Sequence, residues 1–119
     1  MAPHEFMEMT REKLPRSESD DLIEIRRNAL SRVCLSDRLF LAYREKFLSA
    51  YPTYWNCWYA GKPQDRHLNY YGITVILNED IPAFLHVLNR CIQERQIVAL
   101  KKFVKRVYRS GHDIVHMGI

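Results

Sequence analysis

The side chains of residues 97–109 are sorted so completely that this stretch limits what the chain can fold into. With Ile97 at the origin and about 100° per residue, Leu100, Phe103, Val104, Val107 and Tyr108 share one arc. Lys101, Lys102, Lys105, Arg106 and Arg109 fill the opposite arc, with only Val98 among them. The spacing predicts an amphipathic helix whose apolar stripe is built into a core. The five cations are then held in fixed positions rather than carried on a loose tail.

The residues just upstream carry a second stripe: Phe84, Leu85, Leu88, Cys91 and Ile92. On one continuous helix the two stripes would point about 140° apart, so a straight helix could not bury both against one core. A break near Gln93–Gln96 resolves the conflict and gives helices at about 81–93 and 96–110. Asn78-Glu-Asp-Ile-Pro82 supplies the start of the first, with proline where the first turn tolerates it.

Earlier segments also read as helical. Ser19 or Asp20 can cap a helix over about 20–34, with Leu22, Ile25, Ala29, Leu30 and Val33 at helical spacing. Ser36-Asp37 restarts the pattern for a helix over about 37–50, whose stripe is Leu39, Phe40, Tyr43, Phe47 and Leu48. Tyr51, Tyr54, Trp55, Trp58 and Tyr59 recur at i, i+3, i+4, i+7 and i+8, which fits a short aromatic helix over 52–60. Gly61–His67 reads as a loop. Gly72-Ile-Thr-Val-Ile-Leu77 is β-branched and bounded by turn formers, so a strand is expected there. Its partner is expected to be 113–119 or a second copy of itself.

These elements make the expected fold mainly α: a single compact domain of about five helices with at most one small two-stranded sheet, 72–77 with 113–119. Residues 1–18 are set apart as an N-terminal arm and 19–119 as the globular domain. The Glu5-Phe6 pair before an internal Met7 has the look of a cloning junction, so residues 1–6 read as vector-derived and carry no part of the functional argument.

Charge gives the functional direction. Residues 1–50 hold nine basic and nine acidic side chains, and residues 51–92 three of each. Residues 93–119 hold six basic and two acidic ones, which accounts for the whole net charge of +4. No acidic residue lies on the basic arc of the C-terminal helix, so i,i+4 pairing does not neutralise it. A solvated face suited to the C-terminal end of the helix dipole is the simplest reading. The functional reading is a surface for an acidic partner.

Nucleic acid, RNA or DNA, is the first expected partner, met through phosphates rather than base edges. The arc offers no Asn or Gln for adenine, and neither zinc-finger nor RNP-type spacing occurs. The alternative is a protein–protein module, an inhibitor or immunity-type protein, docking on an acidic protein surface. Tyr54, Tyr59, Tyr70 and Tyr71 are candidate interface aromatics, since tyrosine is enriched at interfaces, and a homodimer fits either reading.

Catalytic signatures are lacking. Gly-x-Ser-x-Gly, the phosphate-binding Gly-Lys-Ser/Thr loop, Cys-x-x-Cys and His-Glu-x-x-His do not occur. His112 and His116 are four apart, a zinc spacing on a helix, but Gly111 ends the helix before them. Asp65-Arg66-His67 reads as a solvated loop. No enzyme activity, metal or cofactor is expected. Three widely spaced cysteines (Cys34, Cys57, Cys91) and the lack of a secretory or membrane-spanning stretch point to an intracellular protein, cytoplasmic or nuclear, not secreted and with no membrane partner.

Overall fold

His4-Glu-Phe-Met-Glu-Met9 alternates two sets of side chains, and this alternation defines the architecture. In the computed structural model, which describes residues 3–15, 22–43, 57–59, 62–65 and 73–118, this segment is strand β1 (His4–Met9). It lies inside a four-stranded antiparallel sheet with β2 (Ser31–Leu35), β5 (Ile73–Ile76) and β6 (Asp113–Met117), in the order β2-β1-β6-β5. Two further strands, β3 (Cys57–Tyr59) and β4 (Lys62–Asp65), form a separate antiparallel pair. Among the described residues the helices are α1 (Leu22–Asn28), α2 (Asp37–Ala42), α3 (Ile81–Asn89) and α4 (Arg95–Arg109).

The fold is therefore α+β, and the expectation of a mainly α domain with one small sheet is overturned. Four corrections carry the change. The arm at 1–18 contains β1, an inner strand hydrogen-bonded on both sides. The helix expected over 20–34 ends at Asn28, and Ser31–Leu35 is an edge strand. Val33 fits the helical stripe but also the period-2 set Ser31, Val33 and Leu35, and pairing with β1 decides between them. The aromatic helix over 52–60 is overturned at Cys57–Tyr59, which pairs with Lys62–Asp65 in the stretch expected to be a loop. Finally, Ile73–Ile76 does pair with Asp113–Met117, but within the larger sheet, where β6 also pairs with β1. The second half of the helix expected over 37–50 lies outside the described residues.

Cross-strand register sorts the sheet into two faces. Phe6, Leu35, Ile76 and Ile114 face α2, α3 and α4 and form one core with Phe40, Phe84, Leu100 and Val104. Met7, Met9, Val75 and Val115 face the other way, where Leu14, just after β1, and Ile25 of α1 cover them. The break between α3 and α4 occurs at 90–94; Phe84, Leu88 and Cys91 share one core with the stripe of α4, while Ile92, expected in the first stripe, is 75% exposed. The Gln93 side-chain amide closes the end of α3, donating to the carbonyls of Leu88 (3.4 Å) and Cys91 (2.7 Å). Among the described residues no helix is long and apolar enough to cross a membrane.

Candidate nucleic-acid interface

The apolar residues of α4 hold its basic ones in place. Ile97, Leu100, Phe103, Val104 and Val107 are buried, while Tyr108, at the rim of the stripe, stays 44% exposed. The helix stops at a Schellman arrangement. The Gly111 amide donates to the Tyr108 carbonyl (3.1 Å) and the His112 amide to that of Val107 (3.2 Å). Gly111 takes φ +75°, the left-handed geometry this stop requires. The turn feeds the chain straight into β6 beside β1, and so brings His112 to Glu8.

The five predicted cations divide into two groups. Lys101 is half-buried and donates to Gln93 Oε1 (2.8 Å). Arg106 is exposed, but its Nη2 donates to Ser31 Oγ of β2 (2.9 Å) and its guanidinium carbon sits 5.4 Å from the Phe103 ring centre. Lys102, Lys105 and Arg109 are exposed and, among the described residues, form no side-chain hydrogen bond or ion pair. Residues 102, 105 and 109 follow i, i+3, i+7 spacing, so they lie in one stripe about 10 Å long.

A polar cluster backs Arg106. Glu8, only 7% exposed, accepts from Ser31 Oγ at Oε1 (2.6 Å), and its Oε2 lies 2.7 Å from His112 Nδ1. Burial pushes the Glu8 pKa up, but the hydrogen bonds from His112 and Ser31, with the charges of His112 and Arg106, outweigh it and hold the carboxyl below its ordinary range. Glu8 is directly opposite Ser31 in the β1–β2 register, which makes this cluster a product of strand pairing.

At the far end of the same sheet face sits a second, fully buried cluster. His4 Nε2 lies 3.2 Å from Asp37 Oδ1, and His4 Nδ1 lies 2.9 Å from His116 Nε2. If His4 is neutral and donates to the Asp37 carboxylate, its Nδ1 must accept from His116 Nε2–H. His116 Nδ1 is then a bare acceptor, and among the described residues it has no hydrogen-bond partner. Burial lowers the pKa of His4, outweighing the hydrogen bond and charge of Asp37. Burial and the neighbouring His4 put His116 well below the ordinary histidine value. Asp37 also borders a cavity of about 500 Å³, whose described lining includes Pro3, Ser36, Arg38 and Leu41.

His112, in the turn ahead of β6, and His116, on β6, thus belong to different clusters, and no group of three or more potential ligands among the described residues could hold a metal ion. Of the four interface tyrosines, Tyr59 lies on β3, where only the backbone is described. Tyr54, Tyr70 and Tyr71 lie outside the described residues. The sequence reading missed Glu8, Ser31, His4 and Asp37. For His4 and Glu8 the signal is the alternation His4-x-Phe6-x-Glu8 within the N-terminal arm. Comparison of the chain with protein-family models, curated proteins and solved structures gives no match.

Proposed function

We propose that this is a non-catalytic binding protein whose α4 face engages nucleic acid, RNA as readily as DNA, through contacts to the phosphate backbone. One observation carries the reading. Lys102, Lys105 and Arg109 stand exposed, without an ion-pair partner among the described residues, on a helix whose opposite side is built into the core. Fixed, unneutralised cations in a row favour a ligand that repeats its negative charge. The half-exposed Tyr108 beside this row favours a second reading, docking on an acidic protein surface, because tyrosine and arginine are typical interface anchors.

The test is fluorescence anisotropy with mixed-sequence RNA and duplex DNA from low to physiological salt. Four phosphate contacts, from Lys102, Lys105, Arg106 and Arg109, predict a log–log slope of roughly −3.6 on duplex DNA. Lack of binding to either nucleic acid at low salt overturns the reading and leaves the acidic protein surface.

A further inference from the structure

We infer that Arg106 is the anchor of this surface, a guanidinium pre-oriented to take two oxygens of one phosphodiester, with Lys102, Lys105 and Arg109 as flanking point charges. The inference rests on the nucleic-acid reading of α4 and names which group does the recognising.

Arg106 is the one exposed cation of the basic arc that the described fold orients. Its Nη2 is tied to Ser31 Oγ (2.9 Å), and its guanidinium carbon is 5.4 Å from the ring centre of the buried Phe103. Ser31 is itself held, because its hydroxyl donates to Glu8 Oε1 (2.6 Å), and Glu8 is braced from the other side by His112 Nδ1 (2.7 Å). The Ser31 hydroxyl stands between Arg106 and Glu8. Arg106 is thereby positioned by a carboxylate without being spent in a direct ion pair with it.

A guanidinium has five N–H donors, and one goes to Ser31. The others remain for a planar two-point contact, the geometry that distinguishes arginine from lysine on phosphate and carboxylate groups. A side chain already restrained also loses less rotamer freedom on binding than the unrestrained lysines. A single carboxylate would fit the same fork. The flanking cations at 102 and 109 stand about 6 Å and 4.5 Å along the helix on either side of Arg106, which calls for a ligand that repeats its charge, as a nucleic-acid backbone does.

Salt-dependent anisotropy on a mixed-sequence single-stranded RNA and a duplex DNA tests this, with poly-glutamate as competitor. Arg106→Lys keeps the charge and loses the fork. It is expected to weaken binding about tenfold with the salt slope unchanged. Lys105→Gln is expected to weaken binding about threefold and to make the slope shallower by about one. Ser31→Ala is expected to fall between them, with the slope kept. Thermal melts of each variant separate lost binding from lost folding, and Arg106→Lys preserves the aliphatic stem over Phe103. If nucleic acid binds but Arg106→Lys binds as tightly as the parent, the inference is overturned while the reading of α4 stands. If neither nucleic acid binds at low salt, that reading itself fails. Displacement by poly-glutamate as effective as by unlabelled RNA reassigns the fork to carboxylates and overturns the phosphodiester assignment.

Discussion

His4 and His116, 112 positions apart in the chain, lie within hydrogen-bonding distance (2.9 Å, His4 Nδ1 to His116 Nε2) in the fully buried interior. Both rings stack near Phe40, at centroid distances of 3.9 Å for His4 and 5.6 Å for His116, and the pair ends on Asp37. The native state therefore holds two imidazoles that resist a proton.

Their pKa values are lowered from 6.5, first by burial, so the unfolded chain binds protons there before the folded one does. This contribution to stability is full above about pH 6.5 and is lost as the pH falls below it. Glu8, and Glu79 held low by hydrogen bonds from the Arg11 guanidinium, add a second loss as the pH falls below their ordinary value of 4.5. Guanidinium chloride unfolding at several pH values is expected to show a flat midpoint above pH 7 and a decline from about pH 6.5 downward. Equal midpoints at pH 7.5 and pH 5 would contradict the neutral buried pair.

Phe6 tests whether the N-terminal segment is part of the core. It is fully buried and packs against Phe84, with ring centres 5.8 Å apart. Phe6→Ala is expected to cost about 3–5 kcal/mol in equilibrium unfolding. A loss under 1 kcal/mol would remove β1 from the interior.

Gly111 tests the stop of α4. An added Cβ would meet nothing within 4 Å, so the penalty is confined to the backbone at φ +75°. Gly111→Ala is expected to cost about 1–2 kcal/mol, and Gly111→Asn less, because asparagine tolerates this conformation. Indistinguishable thermal melts for all three proteins would sink the assignment.

Asp113 joins the start of β6 to two distant segments. Its carboxylate accepts from Arg11 Nε (3.1 Å) and Nη2 (2.8 Å) and from the Asn78 amide (2.7 Å). Asp113→Ala strands the Asn78 donor and is expected to destabilise by about 1–3 kcal/mol. Arg11→Ala should cost less, because the Arg11 side chain is half exposed and Asn78 keeps its acceptor. The reverse ranking in urea unfolding would refute this account.

The exposed row is expected to be dispensable for folding. Replacing Lys102, Lys105 and Arg109 together with Glu should change stability by no more than about 1 kcal/mol, since these side chains are exposed and lack partners among the described residues. Circular dichroism and melts check this, and the same variant should lose nucleic-acid binding. Retained binding would take the row out of the interface.

What was legible in the sequence was local. The apolar stripe of α4, its glycine stop, the break before it and the restart of the helical pattern at Ser36-Asp37, where the Ser36 hydroxyl accepts from the Leu39 amide (3.2 Å), all lie within a few residues of where they act. A helix satisfies its backbone from its own neighbours, so its period is written in one contiguous stretch. The positions of the five cations on α4 follow from that period alone.

The tertiary structure decided what depends on pairing. Ser31–Leu35 and His4–Met9 carry strand patterns too short to outweigh competing readings, and β1 is secured only by β2 on one side and β6 on the other. Strand identity is a property of partners, here up to 112 positions away, more than of the residues themselves. The same pairing sets Glu8 opposite Ser31 and His116 within reach of His4. The charges on α4 were therefore readable in one dimension, while the brace that orients Arg106 exists only once distant strands are aligned.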